Sequence, residues 1–139
     1  MPNEDAFDIS ILDRQECLAL LAQVDVGRLG ISIDALPVIL PVHFTLDGES
    51  VVFRSVTGSK LDAATVDTVV AFQADRYEPE GLSGWSVLLQ GVATTATDEA
   101  THRRAASDTI PRWTTPDGDH RLVRVMATTI HGRRFASER

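Results

Sequence analysis

Six strand-length apolar segments, separated by turns or by short helices, constrain the fold of this chain more than any other feature. The segments cover 28–33, 37–46, 50–54, 69–74, 85–95 and 122–135. Asp47-Gly48, between the second and third segments, is a strong β-hairpin signal. Parallel pairing would need longer crossover helices, which the sequence lacks. We therefore predict a mainly β protein with short helices, in which six antiparallel strands form a closed or nearly closed barrel, because closure removes exposed edges.

Three short helices are predicted beside these strands. Asp13 and Glu16 form a capping-box pattern ahead of apolar residues at helical spacing, which places the first helix at about 13–23. The second is predicted at 61–66. The third covers 98–107 and begins at an acidic capping residue.

Local irregularities are predicted at two strand residues and in one long connection. Pro41 cannot donate to a strand ladder, so it marks an edge, a bulge or a gap that faces a ligand. Gly91 is expected to permit a bulge or a sharp bend. The segment that carries Trp113, Pro116 and Asp117-Gly118 is predicted to be a loop.

The size and the charge of the chain limit the classes of function that it can have. A chain of 139 residues is most simply a single domain, 1–139. Its formal net charge of −7 argues against general nucleic-acid binding, which calls for a basic stripe. No apolar run approaches the roughly 20 residues of a membrane span.

Cysteine content and the N-terminal sequence indicate a cytoplasmic protein. The single cysteine, Cys17, excludes an intrachain disulfide and fits a reducing compartment. Its place in an apolar helical pattern favours a buried thiol over a nucleophile. The acidic residues that follow Met1 differ from the basic start of a secretory signal.

The segment from Arg54 to Lys60 carries the strongest chemical signal. Lys60 is the only lysine among 13 basic residues, and the segment joins two cations through small or hydroxylated residues. Cationic charge, hydroxyl donors and backbone N–H groups are what a phosphate monoester requires. A solvated turn is the alternative. A basic site on an acidic chain points to a small phosphorylated ligand rather than to a polyanion.

Other candidate residues give weaker signals. Trp85, next to Ser86 at a strand start, fits either a core or interface aromatic or an indole beside a planar ligand. The four histidines lack a metal-ligand spacing, so no bound metal is predicted. No Ser/His/Asp arrangement has the strand–elbow–helix context of a hydrolase. The sequence therefore identifies no catalytic acid, base or nucleophile.

With these residues in view, the sequence resembles the FMN-binding split-barrel family, the pyridoxamine 5′-phosphate oxidase-like proteins of the flavin and deazaflavin oxidoreductase superfamily. The resemblance runs from about Leu12 to Phe135 and is nearest to small actinobacterial members. Five pieces occur in the family's order: Val26-Gly27-Arg28-Leu29, Leu40-Pro41-Val42-His43-Phe44, the segment from Phe53-Arg54-Ser55 to Gly58-Ser59-Lys60, Gly84-Trp85-Ser86-Val87, and Gly132-Arg133-Arg134.

The resemblance implies a six-stranded split barrel that forms a homodimer, with an FMN in each cleft between subunits. Its implied phosphate site comprises Arg54, Ser55, Gly58, Ser59 and Lys60. The strand that carries Pro41, Val42 and His43 is implied to run along the isoalloxazine. Trp85 and Ser86 are implied to line the same cleft from the partner subunit.

The expected activity is FMN-dependent electron or hydride transfer with a small organic substrate, and a nicotinamide is one candidate reductant. Nothing matches the substrate site of true pyridoxamine phosphate oxidases, so that activity is not predicted. One alternative cofactor is a deazaflavin, whose acidic tail would need further cations such as Arg28, Arg133 or Arg134. Another alternative is a non-catalytic module that stores flavin or senses redox state.

Overall fold

A closed six-stranded antiparallel barrel forms the centre of the protein, in a computed structural model that describes residues 7–80, 82–107 and 120–137. The elements, in chain order, are β1 Phe7–Leu12, α1 Arg14–Leu21, β2 Val26–Ile33, β3 Leu36–Asp47, β4 Ser50–Val56, α2 Lys60–Thr65, β5 Val69–Tyr77, β6 Ser83–Thr95, α3 Glu99–Ser107, β7 His120–Met126 and β8 Thr129–Ser137. The loop expected around Trp113, Pro116 and Asp117-Gly118 lies outside the described residues, as do the acidic residues after Met1.

The barrel closes in the order β6–β5–β2–β3–β4–β7 and back to β6, and every pairing in it is antiparallel. β8 extends the sheet beyond β6, and β1 pairs with β8. The predicted fold class is therefore confirmed. Two details differ: β1 was not expected, and the single strand predicted over 122–135 is wrong, because it is divided into β7 and β8.

The division between β7 and β8 has a tertiary cause. The two residues between the strands, Ala127 and Thr128, donate their backbone N–H groups to Glu49 O at 3.3 Å and Gln90 O at 2.8 Å. Because these acceptors belong to other parts of the barrel, the chain leaves the β7 ladder there and begins a second one along β6.

Gly91 is where β6 exchanges one neighbour for the other. On one side, β6 pairs with β5 from Gly84 to Val92. On its other side, residues 83–90 pair with β8, whereas residues 93–95 pair with β7. A Cβ atom on Gly91 would lie 2.0 Å from the carbonyl oxygen of Met126. The predicted irregularity at Gly91 is thus a close approach between backbones.

The core fills the barrel with aliphatic and aromatic side chains from alternate strand positions. Phe44 and Phe72 contact each other nearly edge to face, with ring centroids 4.7 Å apart. Phe53 is fully buried, as are Leu29 and Leu89. Each such side chain contributes about 1.5–3 kcal/mol through burial. None of the helices in the described part of the chain has the length and apolar character needed to span a membrane.

The three helices occur close to their predicted positions. α1 begins after Asp13, whose side chain accepts from the N–H of Glu16, while Glu16 accepts from the N–H of Asp13. α2 begins after Ser59, and α3 follows Asp98, which accepts from the N–H of Thr101 at 3.0 Å. The predicted capping box at α1 is confirmed.

Candidate functional site

The segment from Arg54 to Lys60 joins β4 to α2. Arg54 is half-buried near the end of β4, and Lys60 is the exposed first residue of α2. Gly58 adopts a left-handed backbone conformation with φ of +81°, which a residue with a side chain rarely adopts. No ion pair of Lys60 is found within the described ranges. Two cations therefore flank a tightly turned loop.

Asp62 organises this loop from beneath. Its side chain is only 6% exposed. Its Oδ1 accepts from the Ser55 hydroxyl at 2.9 Å, and its Oδ2 accepts from the backbone N–H of Gly58 at 2.9 Å. Its own N–H donates to the Ser59 hydroxyl at 3.1 Å, which caps α2. One carboxylate thus connects the end of β4, the turn and the helix.

Arg121 neutralises the buried carboxylate from the neighbouring strand β7. It lies opposite Ser55 in the β4–β7 ladder, and its Nε is 3.2 Å from Asp62 Oδ1. Sequence reasoning missed both members of this pair. Ser59-Lys60-Leu61-Asp62 is a hydroxyl-x-x-acid capping pattern and could have identified Asp62. Nothing local could have identified Arg121, because its partner is 59 residues away in sequence (121 − 62).

Three of the groups predicted to donate to a phosphate already donate within the loop. Ser55 donates its hydroxyl proton to Asp62, and so does the N–H of Gly58. The Ser59 hydroxyl donates to the carbonyl of Val56 at 2.8 Å. A serine hydroxyl has one proton to donate. Among the predicted groups, the side chains of Arg54 and Lys60 therefore supply the positive charge that would attract an anion.

The strand predicted to follow the isoalloxazine lies beside this loop. Pro41 and His43 point to the outside of the barrel, whereas Val42 is buried in the core. At Pro41, β3 pairs only with β2, since its ladder with β4 begins at Phe44. Of the three alternatives predicted at Pro41, an edge, a bulge or a gap that faces a ligand, the one-sided pairing corresponds to an edge. His43 comes one position before the Phe44–Phe53 pair, so it shares its face with Arg54.

A wide outer face extends from β3 across the sheet. Cross-strand pairs connect Pro41, Arg28, Gln73, Leu88 and His131 in one row. The next row along the strands connects Ile39, Gly30, Ala71, Gln90 and Thr129. Most of the large apolar side chains that the described residues expose lie on this outer face: Ile9, Ile11, Val26, Ile39, Val69, Tyr77 and Val92.

A groove on the outer face leads towards Lys60. It has a volume of about 470 Å³, and its lining includes Ile39, Val69 and Ala64. A second pocket of about 290 Å³ is lined by Lys60 and also by Ala64. Ser32 also belongs to both linings, so the two spaces are adjacent. A flat, mainly apolar surface therefore ends near a cation, an arrangement that suits a planar ligand with an anionic substituent.

Trp85 and Ser86 lie on opposite faces of β6. Trp85 is 4% exposed and packs in the core, whereas Ser86 is on the outer face. Ser86 is three strand spacings from His43, or roughly 14 Å. The two neighbouring arginines of β8 also lie in different places. Arg133 pairs with Ser86 on the outer face, whereas Arg134 lines a separate pocket of about 280 Å³ beside Trp85.

Cys17 is fully buried, as predicted. Burial raises the pKa of its thiol, and the nearby charges of Asp13 and Glu16 act in the same direction. A thiol in such surroundings is not an activated nucleophile. No group of His, Cys, Asp and Glu side chains suited to a metal ion is found among the described residues.

Comparison with known proteins assigns the chain to a family. The sequence model of the pyridoxamine 5′-phosphate oxidase family matches residues 13–134. The uncharacterized protein Rv0080 of Mycobacterium tuberculosis is 39% identical over 101 residues. That alignment spans 68% of this chain and 66% of the relative, slightly less than two thirds of its length.

Two solved structures have the same architecture. The FAD binding protein from Mycobacterium smegmatis is 36% identical, with a TM-score of 0.75 over 91% of this chain and 97% of that chain. A FAD-binding protein from Mesorhizobium loti is 20% identical, with a TM-score of 0.77 over 95% of this chain and 100% of that chain, which is a likeness of fold. The match to the family spans most of the barrel and both cations of the loop, and the chain therefore belongs to the pyridoxamine 5′-phosphate oxidase family.

Proposed function

We propose that this protein binds FMN and transfers electrons or hydride between the flavin and a small organic molecule. The flavin would supply the redox chemistry, and the protein would supply binding and electrostatics. The observation that carries the proposal is the outer face, where a flat apolar groove lies next to the pocket of Lys60. Support also comes from the M. smegmatis FAD binding protein, which is 36% identical.

The phosphate end of the cofactor is assigned to Arg54 and Lys60. Both are cations on a chain whose net charge is −7, so they form a local positive site on an acidic protein. The ordered turn through Gly58 and Ser59 sets the spacing between the two side chains. Charge-assisted hydrogen bonds to a phosphate are the strong contacts that such side chains make.

The isoalloxazine is assigned to the outer face beside Pro41 and His43. Val42 supports that strand from the core, because its side chain is buried. Ser86 faces the same side of the sheet. Trp85 packs beneath Ser86, so we assign it the role of supporting β6 at the rim of the site.

A second copy of the chain completes the proposed site. Large apolar patches on soluble proteins mark interaction surfaces. The outer face exposes Ile39 and Val69 by 74% each, and it continues into the strand assigned to the isoalloxazine. A homodimer that buries this face would enclose the cofactor between subunits, with Ser86 of the partner subunit opposite the flavin.

Two other cofactors are favoured by specific observations. Arg28 and Arg133 lie on the outer face, where they are placed to meet the longer acidic tail of a deazaflavin. Arg134 is not on that face, since it lines the pocket beside Trp85. FAD is favoured by the binding that is named for the M. smegmatis relative. Absorbance spectra and mass spectrometry of the small molecule that co-purifies with the protein distinguish FMN, FAD and deazaflavin.

A non-catalytic role is the remaining alternative, because the described residues that line the groove include no acidic, basic or thiol side chain. Anaerobic reduction by a nicotinamide, followed by reoxidation with quinones or nitro compounds, separates the two roles. Turnover of any of these acceptors supports an oxidoreductase. Tight flavin binding with no turnover of any of them supports storage or redox sensing.

The phosphate assignment predicts the behaviour of a double variant. Arg54→Ala with Lys60→Ala should weaken FMN binding by a hundredfold or more, since each charge-assisted contact contributes about 1.5–3 kcal/mol. Isothermal titration with FMN measures the change, and circular dichroism checks the fold. Arg103→Ala removes an exposed cation whose ion pair with Glu99 lies on α3, and it serves as the control. Equal FMN affinity in the wild type and the double variant would refute the assignment.

A further inference from the structure

We propose that Asp62 is a positioning residue for the phosphate end of the cofactor: it holds the Arg54–Lys60 loop in its binding conformation before any ligand arrives. The inference rests on the proposed function, because it concerns the same loop. Asp62 itself is buried beneath the loop, where it cannot present a group to the phosphate.

The contacts of Asp62 fix the loop at both ends and in the middle. Ser55, at the end of β4, and Gly58, in the turn, donate to separate oxygens of the carboxylate, each at 2.9 Å. Asp62 belongs to α2, whose first residue is Lys60. One side chain thus connects the strand that carries Arg54 to the helix that carries Lys60.

A buried carboxylate this close to a phosphate site would by itself repel the ligand. Arg121 removes that problem, since its Nε is 3.2 Å from Asp62 Oδ1 and the pair has no net charge. The net positive charge of the loop then comes from Arg54 and Lys60. A buried ion pair is weak evidence for stability, so a role in specifying one loop conformation explains its presence better.

One substitution distinguishes a positioning role of Asp62 from a purely electrostatic one, because the two roles change the affinity for FMN in opposite directions. Asp62→Asn removes a negative charge and leaves Arg121 unpaired, so the site gains one unit of positive charge. If only charge mattered, FMN would bind more tightly to the variant. If Asp62 positions the loop, FMN binds more weakly, because the asparagine amide places a donor against the N–H of Gly58 or the guanidinium of Arg121.

The measurement compares FMN with riboflavin, which lacks the phosphate. The ratio of their affinities isolates the contribution of the phosphate end, and general damage to the flavin site would not change it selectively. For Asp62→Asn we expect the preference for FMN to fall roughly ten- to hundredfold, with riboflavin affinity within about twofold of the wild type. Ser55→Ala is a milder variant that removes one donor, and it should lower the preference less.

Asp13→Asn is the matched control. It makes the same aspartate-to-asparagine change and removes the same charge, but it lies at the N-cap of α1, where asparagine caps about as well as aspartate. Its preference for FMN over riboflavin should equal that of the wild type. Amide exchange of Gly58, followed by NMR in the protein without cofactor, gives a second readout: protection is expected in the wild type and should be lost in Asp62→Asn.

The outcomes have distinct meanings. A lower preference for FMN together with lost protection at Gly58 supports the proposal. An unchanged or increased preference in Asp62→Asn overturns it while leaving the phosphate site intact, as does an unprotected Gly58 in the wild type. A wild type that binds FMN no more tightly than riboflavin refutes the phosphate site, and the role of Asp62 at that site fails with it.

Discussion

Single residues determine how closely the strands of this barrel can approach. Gly91 lies where β6 passes from β8 to β7, and a Cβ atom there would be 2.0 Å from a backbone oxygen. Backbone atoms cannot turn aside as the end of a flexible side chain can. At Gly30, on the outer face of β2, the nearest atom to such a Cβ would be 3.5 Å away, which is an ordinary contact. The close approach of two backbones therefore requires a glycine at position 91 but not at position 30.

Gly91→Ala should lower the free energy of unfolding by about 3 kcal/mol, because overpacking forces a shift of the Met126 backbone. Gly30→Ala should change it by no more than about 0.5 kcal/mol. Urea unfolding at one protein concentration measures both, since self-association would otherwise alter the apparent stability. If the two substitutions lower the free energy of unfolding equally, β6 and the β7–β8 junction are not in close contact.

The Arg54–Lys60 segment shows what residue types can and cannot predict. The two cations flank a turn, as their charge and the glycine between them indicated. The direction of the hydroxyls was not predictable from composition, because strand alternation points Ser55 inward, where it is fully buried. An interior hydroxyl needs a partner, and Asp62 supplies it. Local chemistry therefore indicated the loop, whereas its internal hydrogen bonding required the fold.

At the scale of elements, α3 is held against the barrel by a polar cluster. Arg124 of β7 contacts Asp47 at 2.7 Å and also Asp98 at 3.7 Å. The buried Thr101 donates to Asp98 at 2.6 Å. Hydrogen bonds from the hydroxyl and the backbone N–H of Thr101 lower the pKa of Asp98, with a smaller contribution from Arg124. The ionised carboxylate is thus preferred in the folded state.

The lowered pKa of Asp98 sets the direction of a pH dependence. A carboxyl group with a lower pKa in the folded state stabilises the protein above its unfolded pKa, which is near 3.8, and this stabilisation is lost as the pH falls through the folded value. Wild type should therefore be more stable than Asp98→Asn at pH 6, and the difference should shrink below about pH 4. Thermal unfolding across this range measures the difference.

Thr101→Val is the companion variant for that experiment, because it removes the hydroxyl that donates to Asp98. In its background, Asp98→Asn should produce a smaller pH-dependent difference. A difference that stays constant from pH 6 to pH 2 would mean that the charge of Asp98 does not contribute to the docking of α3.

The elements themselves were largely predictable, and the exceptions have physical causes. Turn chemistry at Asp47-Gly48 and the capping box at Asp13 identified a hairpin and a helix because both signals are local. The break between β7 and β8 was not predictable, since apolar alternation continues through it and the hydrogen bonds that cause it come from Glu49 and Gln90. β1 was missed although Phe7–Leu12 alternates, and two of its apolar residues, Ile9 and Ile11, are exposed rather than packed in the core.

At the scale of the whole molecule, those exposed isoleucines belong to a larger pattern. The described strands β1, β2, β3, β5 and β6 all present large apolar side chains on the outer face. These outward-facing apolar side chains do not contribute to the barrel core, because the inward-facing residues already fill it. The proposed homodimer would account for their concentration on one side, because it would cover this face with an identical face.

Ile39→Glu should disrupt that dimer. Ile39 is 74% exposed and lies in the row with Gly30 and Ala71, whose small side chains allow close approach of a partner. By twofold symmetry, each substitution introduces two charges into one interface, so the dissociation constant should rise roughly a hundredfold or more. Analytical ultracentrifugation measures it, and flavin affinity should fall in parallel because the proposed cofactor cleft lies between subunits.

Met126→Glu provides the matched control for that substitution, since Met126 is a large apolar residue with 61% exposure at the end of β7, a strand that does not pair with β3. It adds the same charge to the same protein, so solubility and net charge change equally. Dissociation in Ile39→Glu alone would place the interface on the outer face. Dissociation in Met126→Glu alone would place it around β7 instead, and a monomeric wild type that still retains flavin would mean that one chain suffices to hold the cofactor.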